Sequence, residues 1–343
     1  MSGPWDAIVV GAGPAGTAAA LPMARAGLRV LIVERRRRVG FPVQCAEYIP
    51  RILAGVVDAP EAAVAQPVSS LRTFIAGALA AENQWPGVVL NRAVFDRHLA
   101  DRAVAAGATL WTGCTVSSVE DGAVTVGAGR LEAGVIVGAD GPLSITARSM
   151  ECAPAEFVYG LQVEAPLAAP MPHTEAHFRP EFLAGYGWVF PKRAWANVGV
   201  AVARPAAARL PRLLDAFLAT LRERGVIAPG ATRSRTGGLI PVGGPPERTV
   251  RGHRALAGDA AGQTDPITGS GIPAAIECGR AAGEAAALGS LETYEEEWRG
   301  ALGHSLRRAL RHRRTQCAEW NQGNFERLIR RTWIAFPECF HAR

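Results

Sequence analysis

The sequence predicts an α/β fold: one domain on a central parallel sheet, a second domain inserted into it on a mixed or antiparallel sheet, and a C-terminal helical region. Three observations carry this. Residues 7–10 are a short apolar run, readable as a buried parallel strand, and run straight into Gly11-Ala-Gly13-Pro-Ala15-Gly16 and a helical stretch ending at Gly27. Two later apolar runs also end in glycine and acid, at Gly138-Ala-Asp140-Gly141 and at Gly258-Asp259. Residues 156–204 hold short segments with strand-like alternation or aromatic enrichment.

The first string describes an anion site. Gly11 allows a tight turn, Gly13 lets backbone approach a pyrophosphate, and Gly16 lets the helix pack on the strand. The N–H groups and dipole of that helix face the phosphates. Residues 28–33 read as the next strand, with Glu34 at its end to accept ribose hydroxyls and repel a 2′-phosphate. FAD or NAD therefore suits the site better than NADP. Ala15 and Arg35 belong to the same cofactor-binding stretch.

The second and third strings separate those two cofactors, because a plain NAD dehydrogenase needs neither. Asp140 and Gly141 form one further wall. Asp259, after Gly258, is placed to hold ribityl hydroxyls. The turn Asp265-Pro-Ile-Thr-Gly269-Ser-Gly271 opens a small-residue helix at Ile272 that runs to about residue 287. Its start aims N–H groups at the pyrimidine edge of a flavin, where the reduced ring is anionic. The reading is a Rossmann-type FAD-binding domain.

Composition agrees. A chain of 343 residues, 48% hydrophobic and 20% charged, suits two closely packed domains. No apolar stretch suits a membrane span, and the first strand begins too early for a signal peptide. Six cysteines without a CxxC pair argue against disulfides and zinc, and the seven histidines form no ligand pattern, so no metal site is expected. A reducing cytoplasm is the expected compartment, with peripheral contact on the inner face of the membrane as an option.

Taken together, these strings resemble the glutathione-reductase-type flavoproteins of the p-hydroxybenzoate hydroxylase branch, and within it the geranylgeranyl reductase family, from Trp5 to about Ala287. Pro42-Val-Gln-Cys45-Ala46-Glu47 resembles the family's cysteine box, with Ala46 in place of glycine. Tyr186-Gly-Trp188-Val-Phe190-Pro191, followed by Gly199, resembles its aromatic signature, with Ala201 in place of the last glycine. The resemblance implies that Tyr186, Trp188 and Phe190 line a prenyl cavity and that Cys45 lies near the flavin ring. It also implies that residues about Cys114 and Val116 lie by the adenine. In the wider branch an arginine matching Arg92 touches the cofactor; the alternative is a surface charge at a helix start. Cys45 is either a catalytic thiol or a small buried hydrophobe, and Glu47 is a candidate acid. The three aromatics, on one face of a strand, are either substrate wall or core.

Residues 1–65, 90–155 and 250–290 are expected to form the discontinuous FAD domain, 66–89 and 156–249 the substrate domain, and 291–343 the helical region. A helix is expected from about residue 90 to Gly107, one strand over 109–119, and a hairpin over 124–131. The expected chemistry is hydride delivery from reduced FAD to a carbon–carbon double bond of a prenyl or other apolar substrate. The alternative is a monooxygenase hydroxylating an aromatic small molecule or peptide side chain; a third reading is a non-catalytic FAD-binding partner. With no second glycine fingerprint, the electron donor is NAD(P)H bound transiently or a ferredoxin. The basic run over 307–314 is a dock for that acidic carrier, a lipid-facing surface or a solvated helix face. Nucleic-acid binding has no supporting module.

Overall fold

A computed structural model describes residues 4–341; residues 1–3, 342 and 343, at the two ends of the expected domains, lie outside the described residues. The chain divides into two compact units. The first comprises Met1–Phe41, Ala93–Glu156 and Pro241–Arg307; the second comprises Pro42–Arg92, Phe157–Ile240 and Arg308–Arg343. Motif order predicts that residues 42–65 belong with the nucleotide domain. They fall in the second unit, because strand Tyr48–Pro50 pairs antiparallel with Gly87–Val89 there.

In the first unit, strands Arg254–Leu256, Gly129–Gly138, Trp5–Val10, Val30–Glu34 and Thr109–Thr112 lie side by side and parallel. In the two central strands Ala7–Val10 and Val30–Val33 are buried on both faces, which explains their unbroken apolar runs. Register aligns Val10 with Val33 and Gly138, and Gly138 with Leu256. The loops after these strands therefore leave one carboxyl edge. Helices Pro14–Arg25 and Ile272–Ala287 pack closely because both are rich in small residues. A Cβ on Gly279 would meet the Ala15 carbonyl oxygen at 2.2 Å, and one on Gly283 would meet that of Ala19 at 2.1 Å. The strand expected over 109–119 is two strands, Thr109–Thr112 and Val116–Glu120. Gly113, at φ +70°, turns the chain between them.

The second unit carries a mixed eight-stranded sheet. Strand His173–Phe178 runs parallel to Val64–Ile75, whereas its other neighbour, Gly187–Lys192, is antiparallel. A long hairpin of Val64–Ile75 with Ala78–Leu90 forms much of the expected 66–89 piece of the substrate domain. Helix Leu210–Glu223 lays Leu213, Leu214, Phe217 and Leu221 against Val163, Val189, Val198 and Val200. Val189 lies on that covered face, so alternation puts Trp188 and Phe190 on the other.

Candidate functional site

The three glycine–acid strings converge in the first unit. Gly11 N donates to the Val33 carbonyl, Ala139 N to that of Val10, and Ala257 N to that of Gly138. Chain departs at the same level from four adjacent strands, the crevice where doubly wound sheets bind nucleotides. A Cβ on Gly16 would sit 1.9 Å from the Gly11 oxygen, and one on Gly11 would sit 2.4 Å from the Ala139 oxygen. Nothing lies within 4 Å of a Cβ on Gly13. Gly13 therefore borders open space, while its neighbours are closed by packing.

Helix Pro14–Arg25 begins at Gly13 and helix Ile272–Ala287 at Gly271, both without a side-chain cap. Their first N–H groups suit an anionic ligand. Glu34 accepts from Ala12 N at 2.8 Å and from Arg36 N at 2.8 Å, tying its carboxylate to the glycine turn and to its own strand end. Asp140 accepts from Ser144 Oγ at 2.5 Å and Ile145 N at 2.7 Å, organising the turn into the next helix; burial raises its pKa, those bonds working the other way. Asp259 accepts from Thr264 Oγ1 at 2.5 Å. Asp265, which the sequence reading leaves without a role, accepts from Ile267 N, Thr268 N and Thr268 Oγ1, shaping the turn that carries Gly269 (φ +69°) to Gly271 and Ile272. Gly141 and Gly258 also have positive φ, and Val116 and Ala15 are buried. Arg35 is exposed.

The other predicted residues belong to the second unit. Cys45, Ala46 and Glu47 form a clamped loop. Gln162 Nε2 donates to the Cys45 carbonyl at 2.8 Å and Asn197 Nδ2 to that of Ala46 at 3.1 Å. Glu47 is buried at φ 71°, and its N–H donates to Cys45 Sγ at 3.2 Å. Its carboxylate accepts from Lys192 Nζ at 2.6 Å, Asn197 Nδ2 at 2.8 Å and Arg92 N at 2.7 Å. Lys192 also reaches Glu164, which pairs with Arg233 at 2.8 Å. The Arg92 side chain lies beside the Cys45 thiol; burial pushes that thiol's pKa up, and Arg92 pulls it down. Sequence reasoning missed Gln162, Lys192 and Asn197. The available signal was a lone Asn197 within the apolar strand Trp195–Ala203.

Tyr186, Trp188 and Phe190 do form one row. Tyr186 and Trp188 meet edge to face at 6.1 Å, and Phe190 meets Tyr48 at 5.5 Å. Gly199 underlies the row, since a Cβ there would meet Trp188 Cζ2 at 2.2 Å. Ala201, which replaces the expected glycine, is opposite Gly160 in the sheet. Trp188 is buried, and its Nε1 has no hydrogen-bond partner among the described residues. Sequence reasoning also missed Tyr48, Phe178 and Trp333, which extend this aromatic surface. The basic run is only partly a surface. Arg311 and Arg314 are exposed, whereas His312 and Arg313 are buried, Arg313 donating to the Ala184 carbonyl. Among the described residues no helix is long and apolar enough to cross a membrane.

Residues 6–137 match the family described as FAD dependent oxidoreductase. Digeranylgeranylglycerophospholipid reductase 2 of Methanothermobacter thermautotrophicus is 34% identical over 342 residues, covering 90% of this chain and 87% of its own. The protein of the same name from Methanopyrus kandleri is 32% identical over 340 residues, covering 90% and 85%. A geranylgeranyl bacteriochlorophyll reductase-like protein of Thermoplasma acidophilum superposes with a TM-score of 0.81 at 25% identity, covering 97% of this chain and 92% of that one. PqsL of P. aeruginosa superposes at 0.71 with 18% identity, covering 93% and 97%, and shares the fold alone. The cofactor is FAD, which fits the open space at Gly13 and the two uncapped helix starts. This chain belongs to the geranylgeranyl reductase family of FAD-dependent oxidoreductases.

Proposed function

We propose that this oxidoreductase saturates carbon–carbon double bonds in the prenyl chain of a lipid-like substrate. The observation that carries this reading is the row Phe190, Trp188 and Tyr186 on the sheet face that helix Leu210–Glu223 does not cover. An aromatic surface of this kind suits an apolar chain with no polar group to recognise along its length. The names of the two reductases similar in sequence fit the same substrate class. When bound and reduced, FAD supplies the hydride.

The residues of the chain have distinct parts. Gly11, Gly13, Gly16 and the helix starting at Gly13 receive the pyrophosphate, with Glu34 and Arg35 on the adenosine side. Asp140, Gly141, Gly258 and Asp259 take the sugar alcohols, and Gly269, Gly271 and Ile272 the pyrimidine edge. Val116 lies toward the adenine. Cys45 carries a neutral thiol, with Arg92 beside it. Glu47 is a positioning residue: its carboxylate is engaged by Lys192, Asn197 and Arg92 N, so it holds the loop. Electrons arrive from an acidic carrier such as ferredoxin or from NAD(P)H, and the substrate reaches the enzyme at an anionic membrane surface.

Anaerobic reduction with dithionite, followed by addition of candidate substrates, tests the reading. Prenyl lipids should reoxidise the flavin and gain two hydrogens per double bond. Reoxidation only with oxygen and an aromatic substrate, giving a hydroxylated product, would establish the monooxygenase instead.

A further inference from the structure

We infer that Trp333 sets the length of apolar chain the aromatic row accepts; this rests on the proposed function. The row runs along strand Gly187–Lys192 and the residue just before it, from Phe190 beside Tyr48 through Trp188 to Tyr186. Four residues of strand place its two ends about 13 Å apart. At the Tyr186 end stands Trp333, 5.3 Å from Tyr186 and 4.9 Å from Phe178, itself 5.7 Å from Tyr186. Three rings in mutual contact close that end, whereas the other end contacts Tyr48.

Trp333 is fixed, not merely near. Its Nε1 donates to Thr73 Oγ1 at 3.0 Å, and both residues are buried. Its N–H donates to the Ile329 carbonyl at 2.8 Å. The residues on either side are held as well: Gln316 Nε2 donates to Thr332 Oγ1 at 2.9 Å, and Asn83 Nδ2 to the Ala335 carbonyl at 3.0 Å. An indole held through its nitrogen and its backbone cannot swing aside without losing a buried hydrogen bond. A chain longer than the row must therefore fold back or leave its far end in water. Excluding a single methylene from an apolar pocket is worth about 10- to 200-fold in kcat/KM. Trp333 lies in the C-terminal region, outside the sequence motifs on which the resemblance was read.

The test uses the intact FAD-loaded enzyme, reduced anaerobically with dithionite, and prenyl alcohols of two, three and four isoprene units. The variants are Trp333→Ala and Trp333→Phe, with product saturation read by mass spectrometry. Trp333→Ala should raise the kcat/KM ratio of the four-unit over the two-unit substrate by about tenfold or more. Trp333→Phe, which shortens the ring system, should raise it by less. Loss of packing alone would lower all lengths equally, and an unchanged ratio overturns the inference. If Trp333→Ala does not fold, judged by flavin absorbance and Tm, Trp333→Phe decides by the same ratio. Wild-type enzyme that saturates no prenyl chain of any length removes the proposed function and the inference with it; wild-type turnover with an unaltered variant ratio removes the inference alone.

Discussion

Lys192 Nζ lies 2.6 Å from Glu47 Oε2, and Glu47 is a buried residue with left-handed backbone. A glutamate at φ 71° is unfavourable on its own, and only surrounding contacts can hold it there. Lys192→Met would leave the carboxylate with Asn197 and the Arg92 N–H but without its lysine partner. The expected loss is about 3 kcal/mol of stability, because a buried charge then loses one member of its ion pair. Adding Glu47→Gln to Lys192→Met should return part of that loss, and urea unfolding measures both. Equal stability of the single and double variants would show the pair to be uncoupled.

Gly13 and Gly16 separate ligand binding from folding. A side chain at Gly13 meets open space, whereas one at Gly16 overlaps the Gly11 carbonyl. Gly13→Ala should fold with an unchanged apoprotein Tm while FAD affinity falls by about tenfold, roughly 1.4 kcal/mol. Gly16→Ala should instead destabilise the apoprotein. Fluorescence titration with FAD and thermal melts of the apoprotein distinguish the two.

The Cys45 thiol should be a poor nucleophile at neutral pH. Burial raises its pKa, and the opposing pull of Arg92 leaves the net shift upward. Cys317, exposed on its helix, should alkylate with iodoacetamide well before Cys45. Peptide mapping by mass spectrometry reads the order. Faster labelling of Cys45 would mean that a thiolate is present.

Acid should unfold this protein through the pair Glu175 and His177, bonded at 2.8 Å. Burial raises the Glu175 pKa, but hydrogen bonds with His173 and His177 outweigh it and bring the value to about 2, below its ordinary 4.5. Burial lowers the His177 pKa below its ordinary 6.5, with Glu175 acting in the other direction. Both folded values lie below the unfolded ones, so both groups stabilise above those ordinary values. That contribution fades as pH drops, first below 6.5 as unfolded His177 binds a proton and then from 4.5 toward 2 as Glu175 does. The urea midpoint should fall over this window, and His177→Gln should flatten its upper part.

Arg311 and Arg314 face solvent, and among the described residues neither has a salt-bridge partner. Reversing both to Glu should slow reduction by an acidic ferredoxin at low salt, with little effect at high salt, where screening already weakens the encounter. Stopped-flow flavin bleaching against ionic strength measures this. An unchanged low-salt rate would exclude this surface as the dock.

The nucleotide cradle was legible in the sequence because its elements are local. Gly11, Gly13 and Gly16 sit at fixed offsets between one apolar strand and one helix, and short-range sterics dictate what each must be. Helix Ile272–Ala287 was equally legible, from its glycine-rich start and small residues. By itself, then, the sequence determined the α/β class, the FAD cofactor, the family and one aromatic strand face. Only tertiary structure decided what surrounds Cys45 and what ends the aromatic row. Gln162 lies 117 residues from Cys45, Lys192 lies 145 from Glu47, and Trp333 lies 260 from Thr73. No periodicity or spacing encodes such pairs, because strand order and register bring them together. The partition of residues 42–65 has the same cause: Tyr48–Pro50 joins whichever sheet has an edge to receive it, and Gly87–Val89 provides that edge.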